Sequence, residues 1–260
     1  MVGDDIIAAA EDFADAAGAV IRPLFRSALL VEAKGDASPV TKADRDAEAA
    51  IRDLIAARFP AHGVIGEEHG SHRADAEWVW VLDPIDGTRA FVTGRPLFGS
   101  LIALLHRGAP VLGIIDQPVT GERWVGAAGR PTRFRAPLGG RAACRPCAGV
   151  GAAELSCTSP DMFRPADRPG FERLRAAARR VTWGGDCYAY GLLALGLVDI
   201  VVDATMKIWD WAALVPVVEG AGGRVTGWRG ETLTAAADGR VLAVGDPALL
   251  EEAAGLLTDR

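Results

Sequence analysis

The chain has 260 residues, half of them hydrophobic, enough to bury a large core as one domain or as two closely packed lobes. Its 28 Lys and Arg against 34 Asp and Glu give a net charge of −6, which offers no electrostatic ground for nucleic acid or an anionic membrane as partner. No apolar run approaches the roughly 20 residues of a membrane span, and the start Met1-Val2-Gly3-Asp4-Asp5 lacks the basic and apolar regions of a signal peptide, so a cytoplasmic enzyme is the default expectation.

Residues 4–26 set Ile7, Ala10, Phe13, Ala17, Ile21 and Leu24 at three- and four-residue spacing, which predicts an amphipathic helix. The Gly-, Ser- and Pro-containing stretch 31–44 reads as a loop. It is either a plain connection or a lid that carries Lys34 towards a phosphate, and composition favours the connection. Thr41 reads as the N-cap of a helix over 42–58, with Asp44 in capping-box position three residues on. Gly63–Gly66 then reads as a short strand delivering Glu67 and Glu68.

Trp78–Leu82 is an apolar run with the length and residue types of a buried strand, and Asp83-Pro84-Ile85-Asp86-Gly87 follows it at once. Pro84 fixes its own φ and pushes Asp83 towards an extended conformation, so a defined turn is expected there. Two carboxylates three residues apart on a stiff turn can converge on one hard cation. Asp86-Gly87-Thr88 looks like a helix start, whose free amides suit an anion. Oxygen ligands beside an anion-binding turn point to phosphate-ester chemistry. The plainer alternative is an Asp-Pro turn followed by an N-capping Asp. Glu67 joins the cluster if its strand lies beside Trp78–Leu82, a question the sequence leaves open.

Strands at 98–106, 110–116, 123–127 and 132–135, separated by turn residues, predict an antiparallel meander. The Gly/Ala/Pro/Arg-rich stretch 136–153 reads as a linker, dividing an N-terminal α+β lobe, 1–140, from a C-terminal α/β lobe, 141–260. The second lobe reads as strand 154–158, helix 168–179, strand 180–183, helix 186–196, strand 197–203, helix 209–221, strands about Arg224 and at 240–244, and helix 246–257. Cys144 and Cys147 have no second Cys or His pair to close a zinc shell and are expected to be reduced, structurally incidental thiols. Asp199 and Asp203 frame a strand, and one or both are expected at solvated ends. Asp186 and Asp210 each precede a helical pattern and read equally as cap or site.

Three motifs in order, Gly66-Glu67-Glu68, Asp83-Pro84-Ile85-Asp86-Gly87-Thr88-Arg89-Ala90-Phe91 and Trp209-Asp210-Trp211-Ala212-Ala213 before Glu219-Gly220-Ala221-Gly222-Gly223, resemble the inositol monophosphatase family of metal-dependent, lithium-sensitive phosphatases over nearly the whole chain. Arg89-Ala90 departs from the Lys/Arg-Asn common there and leaves the metal ligands untouched. The resemblance implies a layered αβαβα sandwich. It implies that Glu67, Asp83 and the Ile85 carbonyl hold one Mg²⁺ and that Asp83, Asp86 and Asp210 hold another, with two or three ions in all. Gly87 and Thr88 would donate amides to the phosphate. Asp44 and Thr88 would orient and deprotonate the attacking water, with Glu67 counted among the catalytic residues too. Oxygen-only ligands match Mg²⁺ better than zinc.

Three further stretches resemble the histidinol-phosphate phosphatase branch: Ile115-Asp116-Gln117-Pro118 with Glu122-Arg123-Trp124, Gly185-Asp186-Cys187-Tyr188-Ala189-Tyr190, and Val202-Asp203. Asp186 stands where many members have Ser, and a carboxylate there suits a cationic amino alcohol. Asp203 matches a substrate-contacting acid. L-histidinol phosphate is therefore the expected substrate and a homodimer the expected assembly. The alternatives are an inositol monophosphate or broad sugar-phosphate phosphatase, the phosphoadenosine or fructose-bisphosphate branch, and a non-catalytic binding protein.

Overall fold

The structure is a computed structural model that describes residues 2–27, 31–33 and 39–259, the side chains of 31–33 and 39–41 aside. Lys34, the residue that the lid alternative would carry towards a phosphate, and the capping side chain of Thr41 lie outside the described residues. In chain order come α1 (Asp4–Ile21), β1 (Val31–Ala33), β2 (Pro39–Thr41), α2 (Lys42–Arg58), β3 (Gly63–Gly66), β4 (Gly70–His72), β5 (Trp78–Asp86), α3 (Thr88–Val92), β6 (Gly99–His106), β7 (Ala109–Gln117), β8 (Glu122–Ala127) and β9 (Arg133–Arg135). They are followed by β10 (Glu154–Cys157), α4 (Arg168–Ala177), β11 (Arg180–Trp183), α5 (Asp186–Ala194), β12 (Ile200–Asp203), α6 (Ile208–Trp211), α7 (Leu214–Gly220), β13 (Arg224–Thr226), β14 (Val241–Val244) and α8 (Leu250–Thr258).

Two large sheets organise these elements. A seven-stranded sheet has the order β4-β3-β5-β6-β7-β8-β9, antiparallel except where β3 and β5 run parallel. A five-stranded mixed sheet has the order β11-β10-β12-β14-β13. Because successive side chains of a strand point to opposite faces, strands apolar at every position bury both faces. In β5, Trp80 and Leu82 face the core shared with Phe13 of α1 and Ile51 of α2, while Val79 and Val81 face a second core with Leu193 of α5 and Val217 of α7. In β14, Val241 and Ala243 join that second core from the other side, while Leu242 and Val244 face Phe171 of α4 and Leu257 of α8. The layers are therefore α1/α2, sheet, α5/α6/α7, sheet, α4/α8: an αβαβα sandwich, as the resemblance implied.

The structure differs from expectation at several points. Residues 31–33 and 39–41 form a small antiparallel pair rather than plain loop. β4, polar and exposed, carries no periodic signal and was not anticipated. β5 does not stop at Leu82; it runs on through Asp86 with an irregularity between Asp83 and Asp86. Pro84 has no N–H for the ladder, and its carbonyl instead accepts from the buried Ser100 Oγ at 2.7 Å. The expected helix 209–221 is two helices, since Pro216 has no N–H to donate to Ala212 and the chain breaks at 212–213.

Asp199 and Asp203, expected at solvated strand ends, are both buried. Asp199 accepts from both Nε and a terminal nitrogen of Arg145 at 2.7 Å and from the Glu154 amide at 2.8 Å. Burial of a carboxylate is tolerated because donors saturate its oxygens. The four cysteines are free thiols; Cys144 and Cys147 donate to different carbonyls, Leu193 and Gly149, and burial pushes Cys144 up to about 11. Among the described residues no helix is long and apolar enough to cross a membrane.

Candidate active site

The parallel pairing of β3 with β5 builds the first half of the site. Gly66 pairs with Leu82, so Glu67 and Asp83 leave the two strands side by side, and the Glu67 amide donates to the Leu82 carbonyl at 3.2 Å. The neighbour relation that the sequence left open is thus a property of strand order. Past Asp83, the Asp83 carboxylate accepts from the Ile85 amide at 3.1 Å, and Thr88 Oγ1 donates to the Ile85 carbonyl at 3.1 Å. Gly87 adopts φ +89°, a left-handed conformation at low cost for glycine alone, and turns the chain into α3. The first-turn amides of that helix lack intrahelical acceptors.

The middle helical layer supplies the second half. The α6 carboxylate Asp210 reaches back to accept from the Lys207 amide at 2.6 Å, so it acts as a helix-end partner and a wall of the site at once. The amide of Cys187, in the first turn of α5, donates to Asp86 Oδ2 at 2.5 Å and ties α5 to the β5 turn. Carboxylate oxygens of Asp83, Asp86 and Asp210 all lie within 4.8 Å of one another. Glu67, Asp83, Ile85, Asp86, Gly87, Thr88, Asp186, Asp203 and Asp210, nine of the sequence-derived site residues, surround one cavity of about 180 Å³. Asp44 stands behind it: buried on α2, it adds its charge to those acting on Asp83 without lining the cavity.

These carboxylates disfavour one another's charge. Burial above all, then the charges of Glu67, Asp86, Asp210 and Asp44, pushes Asp83 well above the usual carboxylate range. Burial and then Asp186 and Asp210 raise Asp86, against the Cys187 amide. Burial lifts Asp210 to about 7. Like charges held this close, all oxygen donors, suit a hard divalent cation, which would return each group to its ionised form. The acidic cluster therefore fits a metal.

Asp186 occupies a strained position at the mouth. Gly184, Gly185 and Asp186 have successive φ values of +83°, +109° and +43°, the last a left-handed value that Asp adopts at a cost glycine does not bear. A Cβ on Gly87 would lie 3.0 Å from Asp186 Oδ2, so the carboxylate sits over the backbone of the turn into α3. Burial lifts Asp186 to about 6, with Arg89 pulling the other way. Asp203 is differently placed. It accepts from the Thr158 amide at 2.8 Å, Tyr190 Oη at 2.9 Å and Thr158 Oγ1 at 3.3 Å, and burial still raises it to about 7. Thr158, Tyr190 and the Cys187 amide were not singled out as site groups from sequence. Cys187 and Tyr190 do fall in the stretch Gly185–Tyr190 that resembles the histidinol-phosphate phosphatase branch, without a role of their own there.

A family model described as the inositol monophosphatase family matches residues 3–259. The chloroplastic bifunctional phosphatase IMPL2 of Arabidopsis thaliana is 46% identical over 230 residues, 88% of this chain and 66% of that protein, so the chain spans about two thirds of that relative. A histidinol-phosphatase of Chlorobaculum parvum is 38% identical over 221 residues, 84% of each. A solved inositol monophosphatase from Zymomonas mobilis superposes with a TM-score of 0.89 at 46% identity, covering 98% of both chains.

Proposed function

This chain belongs to the inositol monophosphatase family, a family of phosphoric monoester hydrolases, and from that premise we propose that it hydrolyses L-histidinol phosphate with bound Mg²⁺. Glu67, Asp83, the Ile85 carbonyl, Asp86 and Asp210 would hold the cations. When bound, these neutralise phosphate charge and generate a nucleophile from water at neutral pH. The remaining work falls to the chain. Gly87 and Thr88 present amides to the phosphate where α3 begins. Thr88, its Oγ1 hydrogen-bonded to the Ile85 carbonyl, lines the cavity, and together with Asp44, which stands behind Asp83, it would orient and deprotonate the attacking water. Tyr190 and Thr158 hold the wall around Asp203.

The observation that carries the substrate assignment is the Asp186 carboxylate set over Gly87 at the mouth. A carboxylate there pairs with the ammonium of an amino alcohol and offers a neutral polyol no matching charge. Asp203, its oxygens already engaged by three donors, acts as support for Tyr190 rather than as the first ammonium partner. The second reading, an inositol monophosphate or broad sugar-phosphate phosphatase, draws on the Zymomonas mobilis structure at the same identity as the plant relative.

Mg²⁺-dependent phosphate release from L-histidinol phosphate and myo-inositol 1-phosphate, side by side, tests the assignment. The expected outcome is a higher kcat/KM for the histidinol ester that falls about tenfold or more in Asp186→Ser, the loss of one charged hydrogen-bond partner. Equal turnover of both esters, or an unchanged ratio in Asp186→Ser, overturns it. A homodimer in the cytoplasm is part of the same reading, and light scattering of the purified chain tests the dimer.

A further inference from the structure

Glu48, on α2 one turn beyond Asp44, is wholly buried and has no part in the reading so far. Its Oε2 accepts from the Glu68 amide at 2.7 Å, and its Oε1 accepts from the His69 amide at 3.1 Å and from Arg52 Nε at 2.7 Å. The Arg52 guanidinium also donates to the Gly70 carbonyl, so helix and turn are strapped together from residue 66 to residue 70. A Cβ on Gly66 would lie 2.1 Å from Glu48 Oε1: the carboxylate rests directly on the last residue of β3, and no side chain fits between them.

Glu67 lies at the centre of this arrangement. Its own amide is fixed to β5 through the Leu82 carbonyl, and the two amides that follow it are fixed to α2 through Glu48. An apolar residue at 48 would pack α2 on the sheet without burying a charge, but would take the side-chain partner from the half-buried Glu68 amide and from that of the more exposed His69, and would leave the residue after β3 free to rotate. We propose that Glu48 is a positioning residue for the metal site: by clamping the amides of Glu68 and His69 it fixes the direction in which Glu67 presents its carboxylate beside Asp83. The inference rests on the reading of Glu67 as a metal ligand. One helix then sets two parts of the site, Asp44 near Asp83 and, a turn later, the clamp on Glu67.

The test uses the full chain stripped of metal, as wild type, Glu67→Gln, Glu48→Gln and Arg52→Met. It reads Mn²⁺ binding by the electron paramagnetic resonance of the free ion, and, separately, the Mg²⁺ concentration giving half-maximal phosphate release. Glutamine keeps the shape of Glu48 but turns an amide NH₂ towards one of the two N–H donors, opening the clamp. The expected result is Mn²⁺ binding weakened about tenfold in Glu48→Gln, a matching rise in the Mg²⁺ midpoint, kcat recovered at saturating Mg²⁺, and KM for the ester unchanged. A purely structural role would lower the melting temperature and leave metal affinity alone, and that result overturns the proposal. If Glu48→Gln does not fold, Arg52→Met decides: it leaves both amide bonds but frees the carboxylate to swing, so a smaller loss in the same direction is expected and wild-type affinity is disproof. Should Glu67→Gln bind Mn²⁺ like wild type, the metal-site reading fails and the clamp with it. Should only Glu48→Gln and Arg52→Met do so, the clamp alone fails.

Discussion

Asp83, Asp86 and Asp210 are held closer together than three carboxylates would settle in water, and the strain is electrostatic. Replacing Asp86 by Asn removes one of the charges that raise Asp83, so the metal-free protein is expected to melt at the same temperature or higher. The same change removes a cation ligand, and kcat is expected to fall about a thousandfold or more, as several kcal/mol of charge stabilisation are lost. Loss of activity together with loss of folding would count against this account. The sign of the pH dependence follows from the same groups. Asp203 and Asp210 rise from 3.8 to about 7 on folding, so between those values the folded state holds more protons than the unfolded one, and stability falls as pH rises through the window. Thermal melts of EDTA-treated protein are expected to rise as pH is lowered from about 7.5 to about 5.5, and saturating Mg²⁺ is expected to flatten that slope. A metal-free melting temperature that falls over this range would refute the assignment.

At the level of elements, the site depends on how closely α6 and α7 approach the first sheet. Gly113 of β7 and Gly126 of β8 are cross-strand partners. A Cβ on Gly113 would lie 2.0 Å from the Ala213 carbonyl, and one on Gly126 would lie 2.2 Å from that of Pro216. This bare patch lets the helix backbone rest on the strands, and it sets the height at which α6 carries Asp210. Gly113→Ala is expected to destabilise the fold by about 1–3 kcal/mol, the usual cost of forcing extra volume into a packed interface. It should also weaken Mg²⁺ activation by displacing Asp210. Urea unfolding and a Mg²⁺ titration of the variant check both; an unchanged midpoint in each would mean the patch has slack.

In the whole molecule, the middle layer belongs to both sheets. Its core runs from Val81 and Leu101 of the first sheet through Leu193 and Val217 to Val201 and Ala243 of the second. The site straddles the same junction, with Glu67, Asp83 and Asp86 from one side and Asp186, Asp203 and Asp210 from the other. A cation held by Glu67, Asp83, Asp86 and Asp210 would bridge the first sheet and the middle helical layer and act on the fold as a ligand of the native state alone. At one hundred times its dissociation constant, Mg²⁺ is expected to stabilise the protein by about 2.7 kcal/mol. Unfolding is expected in one transition that Mg²⁺ shifts as a unit. Calorimetric melts with and without EDTA measure this, and a separate early transition insensitive to metal would show the second sheet unfolding independently.

Much of this was legible along the chain, because it is local chemistry. The apolar run of β5, the φ fixed by Pro84, the glycine at position 87 and the two aspartates flanking the turn are set by neighbours in sequence, and these marked the turn that walls the cavity. β4 was not legible, since a polar, exposed three-residue strand has no periodicity to read. Neither was the burial of Asp199 and Asp203, whose donors Arg145, Glu154 and Thr158 lie 45 to 54 residues away and Tyr190 13 residues away. The sequence by itself singled out the residues that line the cavity, Glu67, Asp83, Asp86, Asp186, Asp203 and Asp210 among them, and marked β5 as a buried strand. Only the tertiary structure decided that β3 lies parallel to β5, bringing Glu67 to Asp83, that Cys187 reaches Asp86 from α5, and that Glu48 grips the turn after β3. Strand order and cross-layer contacts depend on which surfaces exclude water together, and that is a property of the packed chain rather than of any segment within it.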